Sequence, residues 1–106
     1  MVLNYQSAKI SHPAPGITRR VMANGRNLML TEHMLEKGAV LPEHRHPHEQ
    51  LVYLLSGAIM IEMNGAAIRM TAGDSLDIPS NVVHKATALE PATVLDIFSP
   101  CRQDYL

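Results

Sequence analysis

The first constraints on this chain come from what it lacks. Among its 106 residues there is one cysteine, Cys101, so no disulfide can close within the chain and no thiolate cluster can hold a metal. Charge of one sign is missing too: nine basic and ten acidic residues leave a formal net charge of -1. Without a basic run to neutralise a row of phosphates, nucleic acid is set aside as a partner. No stretch approaches the roughly 18–20 consecutive apolar residues of a membrane-spanning helix, and Met1 to Ser11 has no charged start followed by an apolar block. The expectation is a soluble, cytoplasmic protein with no membrane partner. Internal repeats and low-complexity segments are also absent.

What is present describes one ordinary globular unit. Hydrophobic residues make up 46% and charged residues 18%, enough apolar side chain for a single core at this length. Residues 1–16, with Pro13, Pro15 and Gly16, suit an arm or an edge strand, and residues 17–106 a single barrel domain. From Ile17 onward short apolar runs alternate with turn residues. Val21 to Ala23 ends at Asn24-Gly25, Ala58 to Met63 at Asn64-Gly65, Ser75 to Ile78 at Pro79-Ser80-Asn81, and Ala92 to Ser99 at Pro100. Such punctuation leaves little room for a helix and predicts an all-β sandwich or barrel.

Donors for a metal are concentrated in His44-Arg45-His46-Pro47-His48-Glu49-Gln50. Strand alternation points His44 and His46 to one face, and a kink at Pro47 brings Gln50 in beside them. In an antiparallel barrel His84, which opens the next strand after a turn, is placed to complete a four-donor set with His44, His46 and Gln50. Three neutral imidazoles and an amide leave the charge of a divalent ion uncompensated, which makes it a strong Lewis acid. Donors of this kind accept nickel, zinc, manganese or iron. His48 reads as a supporting or solvent-facing residue. Glu49 is the rival to Gln50, and turning it inward would carry Leu51, Tyr53 and Leu55 inside with it.

Along Val94 to Ser99 the same alternation groups Val94, Asp96 and Phe98 on one face and Leu95 and Ile97 on the other. A carboxylate on an apolar inner face is costly unless it is used or paired, so Asp96 is a candidate for proton transfer, with pairing to an arginine as the structural alternative. Phe98, taken alone, reads as core; His12 and His33 carry no signal. Leu51, Tyr53, Leu55, Leu95 and Ile97 would then form an apolar outer face suited to a homodimer.

The pattern Gly38, His44, His46, Gln50, Gly57 resembles the first cupin motif, with glutamine where glutamate is usual. Gly73, Pro79, Asn81, His84 resembles the second, with asparagine in place of glycine. Cupins are double-stranded β-helix, or jelly-roll, barrels that hold a metal in the mouth. More narrowly, residues 46–50, residues 78–84 and the tail 95–106 resemble the KdgF-type pectin-degradation cupins, which linearise unsaturated uronates released by pectate or alginate lyases. The resemblance implies a metal set of His44, His46, Gln50 and His84, catalytic residues Asp96, Phe98 and Arg102, and a small sugar acid as substrate. Arg102, with Arg19 or Arg20, would orient the acid group and Phe98 would give the sugar a flat wall. Two other functions stay open: a metal-dependent dioxygenase and a non-catalytic sugar-binding cupin.

Overall fold

The computed structural model describes residues 1–106 and contains ten strands and no α-helix. In chain order these are β1 (Lys9–Ala14), β2 (Ile17–Asn24), β3 (Met29–Leu35), β4 (Val40–His44), β5 (Glu49–Ser56), β6 (Ala58–Met63), β7 (Ala66–Thr71), β8 (Ser75–Ile78), β9 (His84–Ala88) and β10 (Ala92–Ser99). They form a six-stranded sheet in the order β1-β2-β3-β10-β5-β8 and a four-stranded sheet in the order β4-β9-β6-β7. Every pairing is antiparallel. Short β1 lies at the sheet edge, where Pro13 removes no ladder hydrogen bond that a central strand would need. No helix is long and apolar enough to cross a membrane.

The two sheets close over an apolar interior that includes Val52, Leu54, Ile59, Ile61, Ile78 and Val94. Alternation sets which residues reach it. Along β5, Gln50, Val52 and Leu54 are buried while Glu49, Leu51, Tyr53 and Leu55 are exposed; along β10, Val94, Asp96 and Phe98 are buried and Ile97 is exposed. The register with Gln50 inside is therefore the one adopted, and Glu49 points away, its carboxyl pulled above the ordinary value by a hydrogen bond to Asp77.

Turns follow the glycines with one exception. Asn64 and Gly65 have φ of 53° and 74°, the paired positive values of a two-residue hairpin joining β6 to β7. Gly57 has φ of 86°, and an added Cβ would stand 2.1 Å from the carbonyl oxygen of Pro91, so no other residue fits. Asn81 takes φ of 63°, a conformation that asparagine tolerates, so the missing glycine of the second motif costs the turn little. Asn24-Gly25, however, does not form the tight hairpin its sequence predicts. Asn24 pairs with Met29 across a four-residue loop, neither residue has positive φ, and the loop is closed by the Gly25 amide on the Leu28 carbonyl at 2.8 Å. The Cys101 thiol docks on the same loop, 3.1 Å from the Leu28 oxygen, so a contact from the tail overrides the local turn preference.

Candidate metal centre and the carboxylate beside it

His44 ends β4 and His84 begins β9, and the two stand directly opposite each other in the β4–β9 ladder. His46 follows in the loop before β5. A ligating atom from each of the three imidazoles lies within 4.8 Å of the others, although the segments that carry them are far apart in sequence. Each ring is braced in the same way: Nδ1 of His44 donates to the Pro42 carbonyl at 2.8 Å, Nδ1 of His84 to the Val82 carbonyl at 2.8 Å, and Nδ1 of His46 to the His48 carbonyl at 3.0 Å. With the proton held on Nδ1, the Nε2 lone pair of every ring is left for a cation. Burial, together with the neighbouring cationic groups, holds His44 below its ordinary value and His46 down to about 4, with desolvation the largest cause for both. Both shifts favour the neutral form that a metal requires.

Gln50 stands beside these imidazoles. Its Nε2 donates to Asp96 Oδ1 at 2.9 Å, which turns its Oε1 to within 3.2 Å of His46 Nε2. A carboxylate only accepts, so the amide nitrogen belongs on Asp96 and the amide oxygen on the histidine side. Two lone pairs then face each other at a separation typical of donors sharing one ion, roughly 3.0–3.4 Å when each is about 2.1 Å from it. A cation between them resolves the repulsion. The residues present therefore fit a divalent metal, which His44, His46, His84 and Gln50 could hold.

Asp96 is 4% exposed and is not unpaired. Its partner is His33 on β3, whose Nδ1 lies 2.8 Å from Oδ2, and not an arginine. The register accounts for every contact: His33 stands opposite Val94, one pleat from Asp96, while Gln50 stands opposite Phe98, one pleat away on the other side. Arg19 on β2 is the cross-strand partner of His33 and donates from Nε to His33 Nε2 at 3.0 Å.

A cupin domain model matches residues 31–98. Over 93 residues, covering 86% of this chain and 84% of the relative, the sequence is 32% identical to the pectin degradation protein KdgF of Dickeya dadantii (strain 3937). The chain belongs to the KdgF family of cupins. The structure of KdgF from Halomonas sp. is similar to it over 100% of this chain and 98% of that one, with a TM-score of 0.92 and 34% identity. An RmlC-like cupin from Shewanella frigidimarina has the same TM-score, 0.92, at 28% identity over 99% of this chain and 95% of that chain.

The tail of this KdgF-type cupin folds back over the site. Arg102 is 7% exposed; Nε and Nη2 are tied to the Asp104 carboxylate at 3.0 and 2.8 Å, and that bond is the main reason the Asp104 carboxyl lies below its ordinary value. Nη1 is buried with no partner. The guanidinium lies 4.2 Å from the centre of the Tyr105 ring, and that of Arg19 lies 3.6 Å from the same ring. Arg20 is turned elsewhere, toward Glu32 and Tyr5. Phe98 is 1% exposed, its ring packed edge-on against His46 and Tyr105 with centroids 5.7 Å from each. It presents no open face to a sugar, contrary to the flat wall expected of it, and instead fixes His46 and Tyr105.

Beneath the histidines is a cavity of about 40 Å³ lined by His33, Gln50, His84 and Asp96 at its polar end and by Ile17, Leu35, Val52 and Ile59 among others. It has room for a water but not for a sugar ring. His33 carried no signal in the sequence reading, and Asp104 and Tyr105 entered it only as part of the tail 95–106, with no role of their own. His33 was detectable: β3 buries Met29, Thr31, His33 and Leu35 in strict alternation, so the argument applied to Asp96 applies equally to an imidazole on that face.

Proposed function

We propose that this protein is a metal-dependent enzyme of pectin or alginate breakdown. It would convert 4,5-unsaturated uronate monosaccharides to linear keto acids by ring opening and tautomerisation. The observation that carries the reading is a carboxylate, Asp96, hydrogen-bonded to the same glutamine that faces the imidazoles, in a chain 32% identical to a pectin degradation protein. The unsaturated uronate is a cyclic hemiacetal whose ring oxygen sits on a double bond conjugated with a carboxylate. Asp96 takes the proton of the anomeric hydroxyl, the bond from the anomeric carbon to the ring oxygen breaks, and its electron pair remains on that oxygen as an enolate. Asp96 then returns the proton to the vinylic carbon and a ketone results. A divalent ion on His44, His46, Gln50 and His84 would supply positive charge for the oxygen that becomes negative.

Arg102 offers the remaining buried N–H, on Nη1, to the carboxylate of the sugar acid, with Arg19 nearby. Phe98 acts by holding His46 and the tail in place. Supporting a cytoplasmic setting, Cys101 is buried and unpaired. The protein acts as a homodimer in this proposal. Leu51 faces Ile97 and Tyr53 faces Leu95 on the outside of the six-stranded sheet, and Leu51, Tyr53, Leu55 and Ile97 are 41–52% exposed, an apolar stripe that a second copy would cover. A dilute, stable monomer in sedimentation would count against that part.

The decisive assay follows the ultraviolet absorbance of the conjugated acid in a lyase digest. Purified protein should speed its loss, and chelation or Asp96→Ala should stop it. No acceleration by metal-loaded protein on either digest would overturn the proposal, and oxygen uptake would favour an oxygenase instead.

A further inference from the structure

His33 has no task in the chemistry proposed above and Arg19 only a place near the sugar acid's carboxylate, yet both are built into the surroundings of Asp96. His33 is 4% exposed on the inner face of β3, where an imidazole is costly unless both nitrogens are used. A guanidinium can only donate, so the Arg19 Nε contact to His33 Nε2 at 3.0 Å leaves the lone pair on that nitrogen and the ring proton on Nδ1. Nδ1 is the nitrogen 2.8 Å from Asp96 Oδ2. The contact falls short of hydrogen-bond geometry and stands as a close polar contact between the ring and the carboxylate.

We propose that His33, with its tautomer set by Arg19, is the positioning residue for Asp96. His33 Nδ1 stands 2.8 Å from Oδ2 and the Gln50 amide nitrogen donates to Oδ1, so groups from the strands on either side of β10 border both carboxylate oxygens. The same arrangement holds the Gln50 amide with its oxygen toward the imidazoles. Arg19 reaches the site through His33: opposite it in the ladder, packed on Tyr105, and fixed in direction by that ring. This inference rests on the reading that Asp96 moves the proton.

The test combines kinetics with a spectrum that does not depend on turnover. His33→Leu removes donor and acceptor at similar volume and should lower kcat about 10²-fold while KM stays within about threefold and metal content is unchanged. His33→Asn restores an N–H close to the Nδ1 position and should return kcat to within about tenfold of the natural protein. In the zinc-loaded protein, long-range proton–nitrogen NMR should find the His33 proton on Nδ1, and Arg19→Met should move part of it to Nε2. The proposal is overturned by full turnover in His33→Leu, by no recovery in His33→Asn, or by a natural protein whose His33 carries its proton on Nε2. If His33→Leu does not fold, His33→Asn and the spectrum of Arg19→Met decide. If the natural protein turns over no unsaturated uronate, the enzymatic reading fails by itself, while the spectrum still upholds or overturns the placement of the His33 proton by Arg19.

Discussion

The two halves of the site are held by different means. In the histidine half, each imidazole is fixed by a main-chain carbonyl two residues away, so orientation is a property of short local segments. In the acid half, Asp96 is held by a hydrogen bond from Gln50 on β5 and bordered by His33 on β3, His33 is held by a side chain from β2, and Arg102 by Asp104 in the tail turn. A main-chain brace survives most substitutions around it, whereas a side-chain brace is lost with one residue. The metal half should therefore be the sturdier of the two, and the acid half the one where single changes alter chemistry without altering the fold.

Phe98 touches both halves, and its removal should give the largest effect. Phe98→Ala is expected to cost about 3–5 kcal/mol of stability and to loosen His46 and the tail together, read as a lower denaturant midpoint with weaker metal retention. If stability falls while metal affinity stays at the natural level, the ring belongs to the acid half alone. Asp96→Asn separates the halves from the other side: kcat should drop about 10³-fold with metal still bound, and equal losses of both would mean that the halves are not independent.

Acid should act on the histidine half through His46. In metal-free protein His46 is held at about 4 against an ordinary 6.5. Above about pH 6.5 neither the folded nor the unfolded chain binds this proton; between there and about pH 4 the unfolded chain binds it and the folded chain does not, so stability falls as pH falls and levels off below. Discounted for solvent screening, the loss from His46 is about 1–2 kcal/mol. Bound metal should deepen the pH dependence, since protons then compete with the ion. Unchanged denaturant midpoints at about pH 5 and pH 7.5 in metal-free protein would contradict this. The smallest effect is expected from Asp104→Asn, which leaves Arg102 charged but less firmly aimed. KM should rise about three- to fivefold, in line with loss of an ion pair exposed on its Asp104 side and contributing under about 1 kcal/mol, with metal content untouched.

Legibility in the sequence follows the same division. The strands, the Asn64-Gly65 hairpin and the grouping of Asp96 with Val94 and Phe98 on one face could be read from period-two alternation and turn residues, because those signals act over a few neighbours; the choice of Gln50 over Glu49 and the approach of His84 to His44 and His46 were decided by strand pairing. The loop after Asn24 could not, because its shape is set by Cys101 docking from the far end of the chain. Nor could the pairing of Asp96 with His33, which needs the β3–β10 register.

By itself, then, the order of residues determined an all-β barrel with a set of nitrogen and oxygen donors on one inner face, since side-chain alternation and glycine turns are local geometry. Only the tertiary structure decided what stands beside that set. Strand pairing brings Arg19, His33, Asp96 and Gln50 into one line from four separate strands, and pairing partners are chosen by burial of the whole core, not by any segment alone.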